Sequence, residues 1–391
     1  MLHFVRHIAG LIVFLSVSLS ASGRDSLDVS KLYHDVEVAA SGGYNLPSHG
    51  YFNGYNPLKK PLYFNSSLHL KYGFGFQPGT RLGALYPDVT QGVGFAAGTF
   101  YSHELMGSPV FAYIYQKAKF MELAPALNLN YSWDLGASYG WKQTELIATR
   151  ANIYINVGLI LSWDINRHWS LDFGPEFTHC SNGDTKYPNG GVNLFNMKVG
   201  VTGHIVPEMD RADRTVIDQY ENQLKQKSFS ERMEYDLVLY GGWRAGKVVG
   251  LKSYVINEHF PFFGLNFMPL FRINRHFTAG ASVDLLADRS ANIHDVVYDV
   301  DTKSVLSYSQ PSLAKQAAAG ISIRGEITMP IFTLGVGAGY FVLPAGNSLK
   351  GIYTVFCLKS FVTEHLFVNI SYRLSTQNYT HNMMYGLGWR F

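Results

Sequence analysis

A histidine and a serine stand two residues apart in His179-Cys180-Ser181, at the end of a run that otherwise alternates cleanly. Trp169, Leu171, Phe173, Pro175 and Phe177 make one apolar series, and His168, Ser170, Asp172, Gly174, Glu176 and Thr178 make a polar one. A strand sends alternate side chains to opposite faces, so His179 and Ser181 continue the apolar series where pattern alone asks for hydrocarbon. Residues i and i+2 on one strand face are about 7 Å apart at the backbone, within reach of a side-chain hydrogen bond. A serine hydroxyl becomes nucleophilic when an imidazole can take its proton, and a third group must hold the imidazole tautomer. Asn193 shares that face on the strand that follows the turn, and its side-chain carbonyl can do this. The backbone N–H groups of Asn182 and Gly183, with the Asn182 amide, are candidate donors to a developing oxyanion. The chemistry that fits is acyl-ester hydrolysis. The bland reading is an ordinary Ser-Asn-Gly turn beside an interfacial histidine.

The elements that position these residues follow from the rest of the chain. It has 391 residues, a net charge of +3, 16% charged residues, 15% aromatics and 38 glycines. That balance gives no nucleic-acid footprint and suits an all-β membrane protein. Residues 1–23 read as a signal peptide, with Arg6 and His7 before the apolar stretch Ile8–Leu19 and small residues from Ser18 to Gly23. The stretch is shorter than the roughly 20 residues of a spanning helix. No later segment stays apolar for that length, so any crossing must be by strands. The two cysteines, Cys180 and Cys357, are read as small strand residues, with Cys180 turned away from the His179 face.

From about residue 32 the pattern is a strand of alternating polarity, then a turn. Strands are expected near 33–43, 62–76, 89–101, 109–117, 121–140, 152–164, 168–181 and 192–204. A second set is expected near 233–243, 262–272, 277–289, 317–328, 331–342, 350–360, 365–375 and 381–391. The apolar faces end in aromatics, and the chain finishes Tyr385-Gly-Leu-Gly-Trp-Arg-Phe391. These features favour an all-β, antiparallel transmembrane β-barrel of about 16 strands over a soluble sandwich. Tight connections alternate with long polar ones, which puts short turns on the periplasmic side and long loops outside. Four segments result: the signal peptide 1–23, a first barrel half 24–205, a charged, partly helical periplasmic linker 206–232, and a second half 233–391. The single terminal aromatic signal favours one large barrel, and the linker and near-equal halves favour two; the balance is narrowly for one. Ile165-Asn166-Arg167-His168-Trp169-Ser170 is similar to Ile273-Asn274-Arg275-His276-Phe277-Thr278. Either the halves arose by duplication, with Ala287 and Arg289 standing where His179 and Ser181 do, or one kind of turn recurs.

This orientation places His179, Ser181 and Asn193 on the lipid-facing side near the outer rim. There a polar group costs roughly 0–1 kcal/mol, less than at the midplane. His-x-Ser-Asn-Gly followed by Lys-x-Pro-Asn-x-Gly, on a barrel strand, resembles the outer-membrane lipid A 3-O-deacylases, or acyloxyacyl hydrolases. The likeness covers about residues 30–205, and residues 233–391 are similar to the long form of such proteins. It implies an eight-stranded barrel unit with a Ser-His-acid triad on its outer surface that removes the 3-O-linked acyl chain of lipid A. His179 and Ser181 match the base and nucleophile, and Asn182 and Gly183 the oxyanion region. The acid, usually Glu in the family, falls at or next to Asn193, a departure from that pattern; Asp184 is a nearby carboxylate but sits in the loop and ranks below Asn193. Lys186, Asp184 and Tyr187 are expected contacts to phosphate or sugar of lipid A. The partners expected are lipopolysaccharide and outer-membrane lipid, with no cofactor, no metal and no nucleic acid; a homodimer is compatible with this reading. The alternative is a non-catalytic porin or lipid-binding barrel that retains the motif.

Overall fold

The computed structural model describes residues 32–206, 214–248, 254–299, 301, 304–346, 348–375 and 381–391, so the signal-peptide reading of 1–23 lies outside the described residues. Strands of alternating polarity close on themselves twice. The first closed barrel is β1 (Leu32–Asn45), β2 (Phe64–Phe76), β3 (Val89–Thr99), β4 (Gly107–Ala124), β5 (Leu127–Trp141), β6 (Ala151–Asn166), β7 (Trp169–Ser181) and β8 (Val192–Val206), each antiparallel to its neighbours. The second is β9 (Met233–Val248), β10 (Tyr254–Arg272), β11 (Phe277–Asp288), β14 (Ala317–Thr328), β15 (Phe332–Leu343), β16 (Ile352–Phe361), β17 (Leu366–Ser375) and β18 (Asn382–Arg390). The pattern leans narrowly to one large barrel, and the structure corrects this: the chain closes as two eight-stranded barrels. Between β11 and β14 a separate hairpin, β12 (His294–Asp299) and β13 (Ser304–Ser309), sits in a segment that reads as loop. A helix, Arg214–Gln226, occupies part of the charged segment between the barrels.

Each barrel is inverted relative to a soluble domain. In the first, Leu68, Phe95, Leu159, Phe173, Phe195 and Val199 are exposed. Its interior pairs Lys71 with Asp134 at 2.9 Å, Lys117 with Asp172 at 3.1 Å, and Lys198 with Glu37. Charges are stable inside only when paired, and an apolar exterior is stable only against lipid. The second barrel repeats the scheme: Leu239, Ile321, Ile323 and Leu387 point outward, while Lys359 bonds Asp236 and Glu326 within.

One turn differs from expectation, and one choice left open is decided. The β4–β5 hairpin turns at Pro125-Ala126 and not at 118–120; proline presets φ for a tight turn, and Ala126 takes φ +64°. The similar turns before β7 and β11 are one recurring device. β7 is the seventh strand of its barrel and β11 the third of its own, so they are not equivalent positions. At the first turn Asn166 Oδ1 accepts from the His168 and Trp169 N–H groups; at the second Asn274 Oδ1 accepts from those of His276 and Phe277. Thr363 does the same for His365 and Leu366 in a third hairpin outside the repeat.

One end of the first barrel, the end that carries the long loops, is capped by those loops. Tyr51, Phe52, Leu62, Phe100, Leu105 and Trp141 pack with Leu146, Ile147, Cys180 and Val192 in one apolar cluster. That cluster fixes the loops that surround the polar residues of β7 and β8.

Candidate active site

Strand register brings the residues together. β7 pairs with β8 so that His179 stands directly opposite Asn193, and with β6 so that Ile155 faces His179 and Ile153 faces Ser181. Thr178, Cys180 and Glu176 are buried, whereas Phe173 and Phe177 on the alternate positions are exposed. His179 and Ser181 therefore lie on the outward face.

The three side chains are hydrogen-bonded in series. His179 Nε2 is 2.9 Å from Ser181 Oγ, and His179 Nδ1 is 2.7 Å from Asn193 Oδ1. An amide oxygen only accepts, so the ring proton sits on Nδ1 and bare Nε2 accepts the serine O–H. The Asn193 amide is itself oriented, because Nδ2 donates to Ser48 Oγ at 3.2 Å. The β1–β2 loop that carries Ser48 is tied to β8 by the Leu46 N–H, which donates to the Asn193 carbonyl at 2.9 Å. Ser48 is a participant that strand pattern does not reveal, being 145 residues from its partner.

The chain returns past the ring at Gly191. Its φ is +67°, and a Cβ there would lie 3.2 Å from His179 Cε1. A side chain would be strained in this conformation and would press on the imidazole. Ser181 is only 6% exposed.

The expected oxyanion residues sit at the start of the turn. The Asn182 N–H donates to Asn189 Oδ1 at 3.0 Å. Gly183 and Asp184 both take left-handed φ, +64° and +61°, as a tight reversal requires. Gly183–Tyr187 belong to the second compact unit. Within that unit the Asp184 carbonyl accepts from the Ala245 N–H at 2.8 Å, and the Tyr187 N–H donates to Asn257 Oδ1 at 2.8 Å. The structure therefore gathers His179, Ser181 and Asn193, and groups Asp184, Lys186 and Tyr187 elsewhere. Among the described residues no cluster of His, Cys, Asp and Glu is arranged to hold a metal ion.

Residues 51–202 match the family model described as lipid A 3-O-deacylase (PagL), and residues 233–391 match that described as acyloxyacyl hydrolase, C-terminal domain. The first barrel thus matches the lipid A 3-O-deacylase family, and the second matches the C-terminal domain of the acyloxyacyl hydrolases. The two matches make it an ester hydrolase and point to the bacterial outer membrane, and each half has its own family model. Among solved structures it is similar to the outer membrane enzyme PagL, at 14% identity over 42% of this chain and 97% of that one, with a TM-score of 0.30. It is also similar to Neisserial surface protein A, at 12% identity over 44% of this chain and 96% of that one, with a TM-score of 0.29. No curated protein matches it.

Proposed function

We propose that the first barrel of this deacylase is a serine esterase that removes the 3-O-linked acyl chain from lipid A, with Ser181 as nucleophile and His179 as general base. The observation that carries the reading is the series Asn193 Oδ1–His179–Ser181 Oγ on the lipid-facing wall. Ser181 Oγ attacks the ester carbonyl carbon while its proton passes to His179 Nε2. The tetrahedral oxyanion is received by the Asn182 N–H, which exchanges Asn189 Oδ1 for the new acceptor. Collapse breaks the bond to the sugar oxygen, which leaves with the proton from Nε2. Water, deprotonated by the same nitrogen, then releases the fatty acid from Ser181. Asn193 holds the tautomer throughout, but as a neutral amide it stabilises the transient imidazolium less than a carboxylate does. Ile153 and Ile155, flanking Ser181 and His179 in register, offer the acyl chain an apolar strip.

The test is mass spectrometry of lipid A from cells expressing the wild-type chain or Ser181→Ala. Loss of one hydroxyacyl mass in the wild type alone supports the reading; an unchanged lipid A in wild-type cells sinks it and favours a lipid-binding barrel. A porin has less to recommend it, because each closed barrel has eight strands, a size that side chains fill.

A further inference from the structure

Away from the Ser181 site, an open cleft of about 430 Å³ lies at the outer rim of the first barrel, between the β1–β2 and β3–β4 loops. Its volume falls in the ligand-pocket range of roughly 300–1,000 Å³. The walls are aromatic: Tyr63, Phe64 and Tyr101 line it and are exposed. Lys60 and His103 bring basic groups, and Glu104 brings one carboxylate.

Tyr101 is held there at a cost. It takes φ +58°, a region that bulky residues rarely occupy, yet its side chain is 69% exposed. Its N–H donates to Thr99 Oγ1 at 3.1 Å and its hydroxyl to Ser66 Oγ at 2.9 Å. Backbone strain spent to present an aromatic ring to solvent is the mark of a contact surface.

The cleft is joined to the esterase site by a row of aromatics. Phe195, two residues beyond Asn193 on β8, stands opposite Tyr44 of β1, and Tyr44 stands opposite Phe64 of β2. Tyr44 stacks on Tyr63 at 6.2 Å and meets Phe64 edge-on at 6.3 Å. This row spans two strand spacings, about 10 Å, a distance that one glycolipid headgroup covers.

We propose that the cleft binds an anionic sugar attached to the same lipid A molecule whose ester is presented to Ser181. The proposal rests on the esterase reading above. Flat aromatic faces pack against sugar C–H edges, Lys60 and His103 take the anionic group, and Glu104 accepts from hydroxyls.

The test uses the full chain in detergent micelles and two substrates, lipid A with its core sugars and lipid A stripped of them. Tyr101→Ala and Lys60→Gln should each lower kcat/KM on the sugar-bearing substrate by about tenfold, the loss expected for one ionic hydrogen bond or stacked ring, through KM. Both should stay within about twofold of wild type on the stripped substrate. An equal fall on both substrates, or none on either, overturns the proposal. A binding arm works without turnover: calorimetry of the Ser181→Ala chain with the acyl-free core oligosaccharide should show binding that Lys60→Gln weakens. Absence of binding, or equal competition by glycerophosphate, overturns it. If the wild type cleaves neither substrate, the esterase reading fails while the binding arm still decides the cleft.

Discussion

The first barrel carries two serine–histidine pairs of the same spacing that point in opposite directions. On β7, His179 Nε2 lies 2.9 Å from Ser181 Oγ; on β2, His69 Nε2 lies 2.8 Å from Ser67 Oγ. Distance does not separate them. The second ring nitrogen does: His179 Nδ1 meets Asn193 Oδ1, which can only accept, whereas His69 Nδ1 meets the Tyr113 hydroxyl at 2.8 Å, which can donate or accept. Only the outward ring has its tautomer set by its partner. Access differs as well. The inward pair faces a cavity of about 20 Å³ beside Ser41, Asn65 and Glu176, room for a water and not for an ester. The outward pair lies on the exterior face, with the His179 ring half-exposed and the Ser181 hydroxyl close behind it. A hydrogen-bonded serine and histidine become a candidate catalyst only with an acceptor-only third group and a route for substrate.

The widest separation between the pairs is expected from removing each hydroxyl. Ser181→Ala should lower deacylation by about 10³-fold or more, as removing a nucleophile does. Ser67→Ala should stay within about twofold. Rates of fatty-acid release from purified chains in micelles decide it, and comparable losses at both serines would erase the difference between the pairs.

Next in size is an effect on folding. His69→Phe removes a ring that satisfies both Ser67 and Tyr113 inside the barrel. Leaving buried polar groups unpaired costs about 1–3 kcal/mol, so the midpoint of urea unfolding in detergent should fall while turnover per folded molecule holds. His179→Phe should do the reverse, abolishing turnover with little change in midpoint, because it sits on a half-exposed face.

The outward pair was legible in the sequence because period-two alternation assigns faces along a strand, and Asn193 followed from the same rule carried across the hairpin. The inward pair was equally periodic but unremarkable, since polar residues belong on a lumen face. Alternation says nothing about where a sheet closes, so the eight-and-eight division could not be read from residues whose outward and inward faces are alike in either case. The short hairpin β12–β13, with Val297 and Leu306 exposed, lacks the apolar face that makes a barrel strand readable. The engagement of Asn182 N–H by Asn189, and of Asn193 by Ser48, depends on loop conformation that no periodicity encodes.

A smaller effect sharpens the role of the third group. Asn193→Asp keeps an acceptor at 2.7 Å from His179 Nδ1 and adds charge. Charge-assisted hydrogen bonds are roughly twice as strong as neutral ones, so kcat should rise about tenfold with KM unchanged. Asn193→Leu should lose activity instead. A fall in kcat with Asn193→Asp would mean that the neutral amide is required, and the ranking of the two pairs by their third partner would have to be redrawn.

The smallest effect separates orientation from charge. An amide can present either end, and a flipped Asn193 would aim its NH₂ at Nδ1, move the ring proton to Nε2 and leave Ser181 without a base. In the structure Nδ2 donates to Ser48 Oγ, which favours the productive orientation. Ser48→Ala removes one exposed hydrogen bond, worth about 0.5–1.5 kcal/mol, so kcat should fall about threefold. A carboxylate has no wrong end, and in the Asn193→Asp background the same change should cost nothing. That double-mutant cycle isolates the coupling between the two residues. If Ser48→Ala costs as much beside Asp as beside Asn, Ser48 acts on something other than the tautomer of His179.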